Sequence, residues 1–194
     1  MGYMEIQRIT VWVTGQIKSS LDAHRDKCAR AETAFVQGQI DRGVKKRVAR
    51  AEAALVRAER WPTQDVLVTR AVRTYLERPH LAGPWEPLSP AEAGRMRLAG
   101  RWPGPKMGDL VTERQFGLPV EVVLQVRTAS WRISEPFLKQ LEEEGLLGRL
   151  LDAPERARRD DLAGNLLTPG QIIRDALAQP FAMYWPGLVG SADK

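Results

Sequence analysis

The sequence predicts an α+β fold, mostly helical and built from two similar units, and three observations carry that expectation. Two short stretches run directly into amphipathic helical patterns. Each is followed, further along the chain, by a second matching helical piece. Between the two sets lies a segment dense in proline and glycine.

The first stretch is Arg8-Ile9-Thr10-Val11-Trp12-Val13-Thr14, leading into Ile17 and Leu21. Its counterpart is Thr128-Ala129-Ser130-Trp131-Arg132-Ile133-Ser134, leading into Phe137 and Leu141. The later pieces are Thr63-Gln64-Asp65-Val66-Leu67-Val68-Thr69-Arg70-Ala71-Val72 and Thr168-Pro169-Gly170-Gln171-Ile172-Ile173-Arg174-Asp175-Ala176-Leu177. The boundaries that follow are a first unit at 1–79 with a long helical insertion, a connector at 80–119, a second unit at 120–185 and a tail at 186–194.

In the first unit, Ile9, Val11 and Val13 alternate with Arg8, Thr10 and Trp12, the period of a half-buried strand. Thr14 then caps a helix whose stripe runs through Ile17, Leu21, Cys28, Ala31 and Phe35, with Gly38 and Gly43 weakening or breaking it. A second helix is expected on the spacing Ile40, Val44, Ala51, Leu55 and Ala58, ended by Trp61-Pro62 because a residue before proline is driven out of the helical region. Thr63 caps a third, with Val66, Leu67, Ala71, Val72, Tyr75 and Leu76 on a broad apolar face and Pro79 as its stop.

The connector holds Gly83-Pro84, Pro87, Pro90, Pro103-Gly104-Pro105 and Gly117, and leaves room for one short helix from Ser89-Pro90 to Leu98. Trp85 and Trp102 are expected to pin it to a core. In the second unit Val120, Val122, Leu124 and Val126 alternate, and the apolar phase then shifts to Ala129, Trp131 and Ile133. A bulge, or a break between two strands near Arg127, accounts for the shift. Ser134 caps the next helix, Gly145 closes it, and Thr168-Pro169 opens another that Pro180 ends. Trp185-Pro186-Gly187 reads as a docked edge before the polar tail.

Composition narrows the function. The chain has 194 residues and a formal charge of +5, from 29 Lys and Arg against 24 Asp and Glu, a bias toward phosphate-rich or acidic partners. Much of the excess sits in Arg42, Lys45, Lys46, Arg47, Arg50, Arg57 and Arg60, opposed by Asp41, Glu52 and Glu59. That insertion, residues 38–61, reads either as a solvated helix face or as a nucleic-acid contact. The sequence has no apolar run of about 18 residues and no secretory pattern, and its single cysteine, Cys28, fits a reducing cytoplasm. The expectation is a cytoplasmic protein that does not span a membrane.

Catalysis is not expected. There is no phosphate-binding glycine loop, paired CxxC, HExxH or GxSxG, and only His24 and His80 supply imidazole. His24 and Cys28, four apart near Asp22 and Asp26, offer too few ligands for a metal. No cofactor is implied.

Strand, capped helix and then a helix of the form Thr-x-x-x-apolar-apolar-x-x-Ala-apolar resembles the ribbon-helix-helix family, the DNA-binding class of the Arc and MetJ type. The resemblance implies an antiparallel ribbon in the major groove whose outward residues, Arg8, Thr10 and Trp12 in one copy and Thr128, Ser130 and Arg132 in the other, touch base edges. Trp12 departs from the usual polar residue, and either packs on a thymine methyl or marks a face that does not meet DNA. The family also implies phosphate at the starts of the second helices, at Thr63 and Thr168, although Asp65 opposes an anion there. Lys45, Lys46, Arg47 and Arg50 would add phosphate contacts from the insertion.

Family members join their helices by a short turn, whereas here the basic segment and the stretch 146–167 intervene. The implied protein is a sequence-specific double-stranded DNA-binding repressor or a plasmid or phage accessory factor. It pairs either within one chain, as a pseudo-dimer, or as a homodimer. The alternative is a non-catalytic interaction module in which a helical hairpin over 15–60 presents Ile40, Val44 and Leu55 to a partner.

Overall fold

The computed structural model describes residues 5–97, 109–147 and 150–179. Leu98, Trp102, Pro103-Gly104-Pro105, Pro180, Trp185-Pro186-Gly187 and the tail at 186–194 lie outside these residues.

Alternation makes β1, Ile6–Thr14, as expected, with Val11 and Val13 buried and Arg8, Thr10 and Trp12 exposed. Thr14 accepts the amide of Ile17 at 3.2 Å and so starts α1, Gly15–Asp41. Gly38 lies inside α1 and does not break it. The helix stops at Gly43, whose φ of +88° suits a residue without a Cβ. There the amides of Gly43 and Val44 donate to Ile40 and Gln39 at 2.8 and 3.0 Å, closing the orphan carbonyls of the last turn.

The next helix, α2, Lys46–Arg60, turns a different face inward from the one its larger residues suggest. Ala49 and Ala53 are buried, while Leu55 is 84% exposed and Ile40 belongs to α1. Small residues win because α2 lies close against α1, where Cys28, Ala53 and Trp61 form a compact cluster with Phe35. Thr63 caps α3, Gln64–Leu76, whose apolar face buries Leu67, Ala71, Val72, Tyr75 and Leu76 as expected, with Val68 buried in place of Val66.

The second strand is where the structure departs most from the sequence reading. It is β2, Leu110–Pro119, inside the span assigned to the connector. It pairs antiparallel with β1, with Arg8 facing Gly117, Thr10 facing Gln115 and Trp12 facing Glu113. Residues 120–143, expected to hold alternating strands and a helix capped by Ser134, are one helix, α5, Val120–Glu143. Val122, Val123, Val126, Ala129 and Ser130 form its buried stripe at helical spacing. Leu124, in phase with Val122 and Val126 for a strand, is 53% exposed on the helix.

Helix α4, Pro90–Arg97, crosses the connector, with the Ser89 amide donating to the Glu92 carboxylate at 2.7 Å and the Glu92 amide to Ser89 Oγ at 3.3 Å. The charged run after Leu151 forms α6, Ala153–Gly164, behind a reciprocal Asp152–Glu155 capping box. Thr168 caps α7, Pro169–Leu177, as expected.

The main core lies under the ribbon. Val11, Val13, Phe116 and Leu118 from the strands meet Leu67, Val68, Ala71 and Val72 of α3 and Ile172, Ile173, Ala176 and Leu177 of α7. A satellite core joins α4, α5 and α6 through Met96, Trp131, Leu138, Leu141 and Leu162. The fold is therefore α+β and mostly helical around one two-stranded sheet.

Both halves run strand, helix, helix, helix, and their landmarks fall at one step. Thr14 and Pro119, the last residues of the strands, are 105 positions apart, as are Thr63 and Thr168, the caps of α3 and α7. The same step takes Leu67, Val68, Ala71 and Val72 to Ile172, Ile173, Ala176 and Leu177. Among the described residues no helix is long and apolar enough to cross a membrane.

Candidate nucleic-acid interface

Pleating sends alternate side chains of the ribbon away from the core. The outer face is Ile6, Arg8, Thr10 and Trp12 from β1, with Val111, Glu113, Gln115 and Gly117 from β2. Trp12 is 48% exposed and stands opposite Glu113. Arg8 faces Gly117, and its guanidinium reaches diagonally and donates to Gln115 Oε1 at 3.0 Å. The face thus presents a cation, a carboxylate, an amide, a hydroxyl and an indole side by side.

Two helix starts flank it. At one end, Thr63 Oγ1 accepts the Val66 amide at 3.4 Å, and Asp65 lies over the ribbon so closely that a Cβ on Gly117 would come within 3.0 Å of its carboxylate. At the other end, Thr168 Oγ1 accepts the Gln171 amide at 3.1 Å. Gly170 stands there at the place matching Asp65, and Arg174 donates to the Trp12 carbonyl at 3.2 Å and to Gln171 at 2.8 Å. Burial disfavours the charge on Arg174 and lowers its pKa, Asp175 and Asp109 opposing. One flank carries a carboxylate and the other a guanidinium.

Of the residues expected to read bases, Arg8, Thr10 and Trp12 stand together on the ribbon. Thr128, Ser130 and Arg132 do not, because they belong to α5. Ser130 is buried and donates to the Leu167 carbonyl at 2.6 Å, and Ser134 helps hold the same loop by accepting the Leu167 amide at 2.9 Å. Arg132 binds Glu92 at 2.6 Å and Glu135 at 3.3 Å and reaches the carbonyls of Glu86 and Pro87, tying the connector to α5. That guanidinium, helped by Ser89, pulls the Glu92 carboxyl down to about 2. Thr128 is half-buried beside a cavity of about 780 Å³ whose apolar wall includes Leu81, Trp85 and Leu124. Trp85 also donates its indole N–H to the Leu81 carbonyl at 2.9 Å, fastening the start of the connector.

Glu113 and Gln115 were missed with β2. Their signal was present: Val111, Glu113 and Gln115 alternate with Thr112, Arg114 and Phe116. The inward Arg114 obscured it, since a charge facing the core breaks the apolar period. It is tolerated because Asp22 of α1 receives it at 3.0 and 3.1 Å.

Lys45, Lys46, Arg47 and Arg50 are exposed at the turn between α1 and α2. At a rise of about 1.5 Å per residue, the 27 residues of α1 carry that turn about 40 Å along the helix from the end of β1. Arg57 instead pairs with Glu32, and Arg60 lies over the Phe35 ring at 5.5 Å.

His24 is buried, with Nε2 3.2 Å from the Pro62 carbonyl and 3.5 Å from Cys28 Sγ. Burial raises the Cys28 pKa. Among the described residues no group of three or more His, Cys, Asp and Glu converges on a metal-sized space.

No protein-family model, curated protein or solved structure matches the chain.

Proposed function

We propose that the protein is a sequence-specific double-stranded DNA-binding protein, a transcriptional repressor or a plasmid or phage accessory factor, that reads the major groove with the β1–β2 ribbon. One observation carries this reading. Two strands of one chain pair antiparallel, each running directly into a helix, with an outer face left exposed that sets Arg8, Thr10, Glu113 and Gln115 among Ile6, Trp12 and Val111. A two-stranded ribbon fits the width of the major groove, and the ribbon-helix-helix resemblance acquires a second strand where that family has one. The chain is then a pseudo-dimer with helical insertions α2 and α6.

Base readout belongs to Arg8, Thr10, Trp12, Glu113 and Gln115. Arg8 matches guanine O6 and N7, Gln115 matches adenine, Glu113 accepts from the cytosine amino group, and the Trp12 ring packs on a thymine methyl. Thr168, with no acid in the first turn of α7, is the better phosphate seat, and Thr63 the poorer because of Asp65. Lys45, Lys46, Arg47 and Arg50 contact phosphates more distant along the duplex.

A mobility-shift titration at two salt concentrations tests the reading. Affinity is expected to fall by about a thousandfold or more between low and physiological salt if six or more phosphates are engaged. Lys46→Ala should weaken all duplexes alike, and Arg8→Ala should also relax sequence preference. The exposed Leu55 and Val48 of α2 favour a second reading, a partner-docking helical hairpin. Failure to shift any duplex at low salt would decide for it.

A further inference from the structure

Resting on the DNA-binding reading, we infer that the ribbon recognises an asymmetric duplex site as a single chain, so that its target has no two-fold repeat. A homodimer presents the same residue at both equivalent positions, and its operator is correspondingly palindromic. Here the step of 105 that relates the strand ends and the caps of α3 and α7 also relates the outer faces, and it pairs unlike chemistry.

Thr10 and Gln115 are equivalent and face each other, so the centre of the ribbon lies between them. On one side of that centre Arg8 faces Gly117, and on the other Trp12 faces Glu113. Arg8 is therefore equivalent to Glu113, and Trp12 to Gly117. The first pair opposes a five-donor guanidinium to an acceptor-only carboxylate. A palindrome presents the same base-pair edge at the two equivalent positions, yet Arg8 seeks its acceptors, guanine O6 and N7, and Glu113 its donor, the cytosine amino group, so the two ends score one edge differently. The second pair opposes the largest side chain to none at all.

The flanks diverge in the same sense. Asp65 occupies the space above Gly117, whereas the matching Gly170 lies near Val11, with Arg174 beside it. A Cβ at 170 would stand 3.2 Å from the Arg174 guanidinium, so the space that a carboxylate fills at one flank is bordered by a cation at the other. Two ends of one ribbon thus differ in charge, bulk and hydrogen-bonding sense, and no rotation superposes what they present.

Selection from a randomised duplex library with the full chain, followed by native mass measurement of the complex on the recovered site, tests the inference. A non-palindromic motif bound by one chain per duplex is expected. Arg8→Ala should lose base preference on one side of the motif and Glu113→Ala on the other, each with about a tenfold loss of affinity for the selected site. Both residues are exposed, so unchanged thermal melts will confirm that the variants fold. A palindromic motif occupied by two chains overturns the inference and leaves DNA binding standing. Absence of any enriched motif, with equal affinity for all duplexes at low salt, overturns the inference and sequence-specific recognition together and leaves non-specific DNA binding.

Discussion

The two halves of the molecule share a frame and almost nothing else. Beneath the ribbon, equivalent positions remain apolar: Leu67 with Ile172, Val68 with Ile173, Ala71 with Ala176, Val72 with Leu177. Above it, equivalent positions run from Arg8 to Glu113 and from Trp12 to Gly117. The difference shows which constraint acts where. Inward residues must fill one shared core at close packing, whereas outward residues answer only to solvent or to whatever binds. The insertions diverge too, since α2 packs on α1 through alanines while α6 closes a core around Trp131.

The largest expected effect probes the shared part. Leu67→Ala and Ile172→Ala should each cost about 2–5 kcal/mol, because both are fully buried in one core. Urea unfolding should show a single transition in each case. Two separable transitions would mean that the halves unfold independently and do not share one core.

Next comes the contrast between two arginines. Arg8→Ala should weaken binding to a selected duplex about tenfold. Arg132→Ala should leave that affinity unchanged and instead speed proteolysis of residues 80–97, since Arg132 holds Glu92 and the carbonyls of Glu86 and Pro87. If Arg132→Ala weakens DNA binding as much as Arg8→Ala does, the ribbon is not the sole reader.

A smaller effect is expected at the flanks. Asp65→Asn removes a carboxylate from the first turn of α3 and should raise duplex affinity a few-fold at low salt, an effect that vanishes at high salt. Unaltered affinity at low salt would show that this flank stays clear of phosphate.

The smallest concerns pH. Arg132 first, and Ser89 after it, hold the Glu92 carboxyl at about 2 against an ordinary value of 4.5. A lowered pKa in the folded state stabilises above the ordinary value, and the contribution disappears as pH falls through about 2. Carboxyl titration by NMR should find Glu92 returning toward 4.5 in Arg132→Ala.

The first half was largely legible because its signals are local. Alternation over Ile9, Val11 and Val13, the caps Thr14 and Thr63 and the break at Trp61-Pro62 each act within a few residues. The second strand was not, for three physical reasons. Arg114 faces inward and is neutralised by Asp22, 92 residues away in sequence. Gly117 and Pro119 resemble connector residues, although the missing side chain of Gly117 leaves the space that the Asp65 carboxylate fills. Val120, Val122, Leu124 and Val126 imitate a strand, yet a helix buries Val122 and Val126 and turns Leu124 out.

The spacing of the repeat carries the position of the second strand. Matching Thr14 with Ser134 takes a step of 120, whereas matching Thr63 with Thr168 takes 105. Units of one design should repeat at one step. Applying 105 throughout moves the second strand to its observed place and brings Glu113 and Gln115 onto the candidate site.

Pairing β1 with β2 inside one polypeptide has a consequence for assembly. Two strands on separate subunits meet by mass action, and dilution separates them. Strands joined by a covalent chain keep a fixed effective molarity however few copies a cell holds. The melting midpoint should therefore be independent of protein concentration, and the ribbon remains whole even when a single molecule is present.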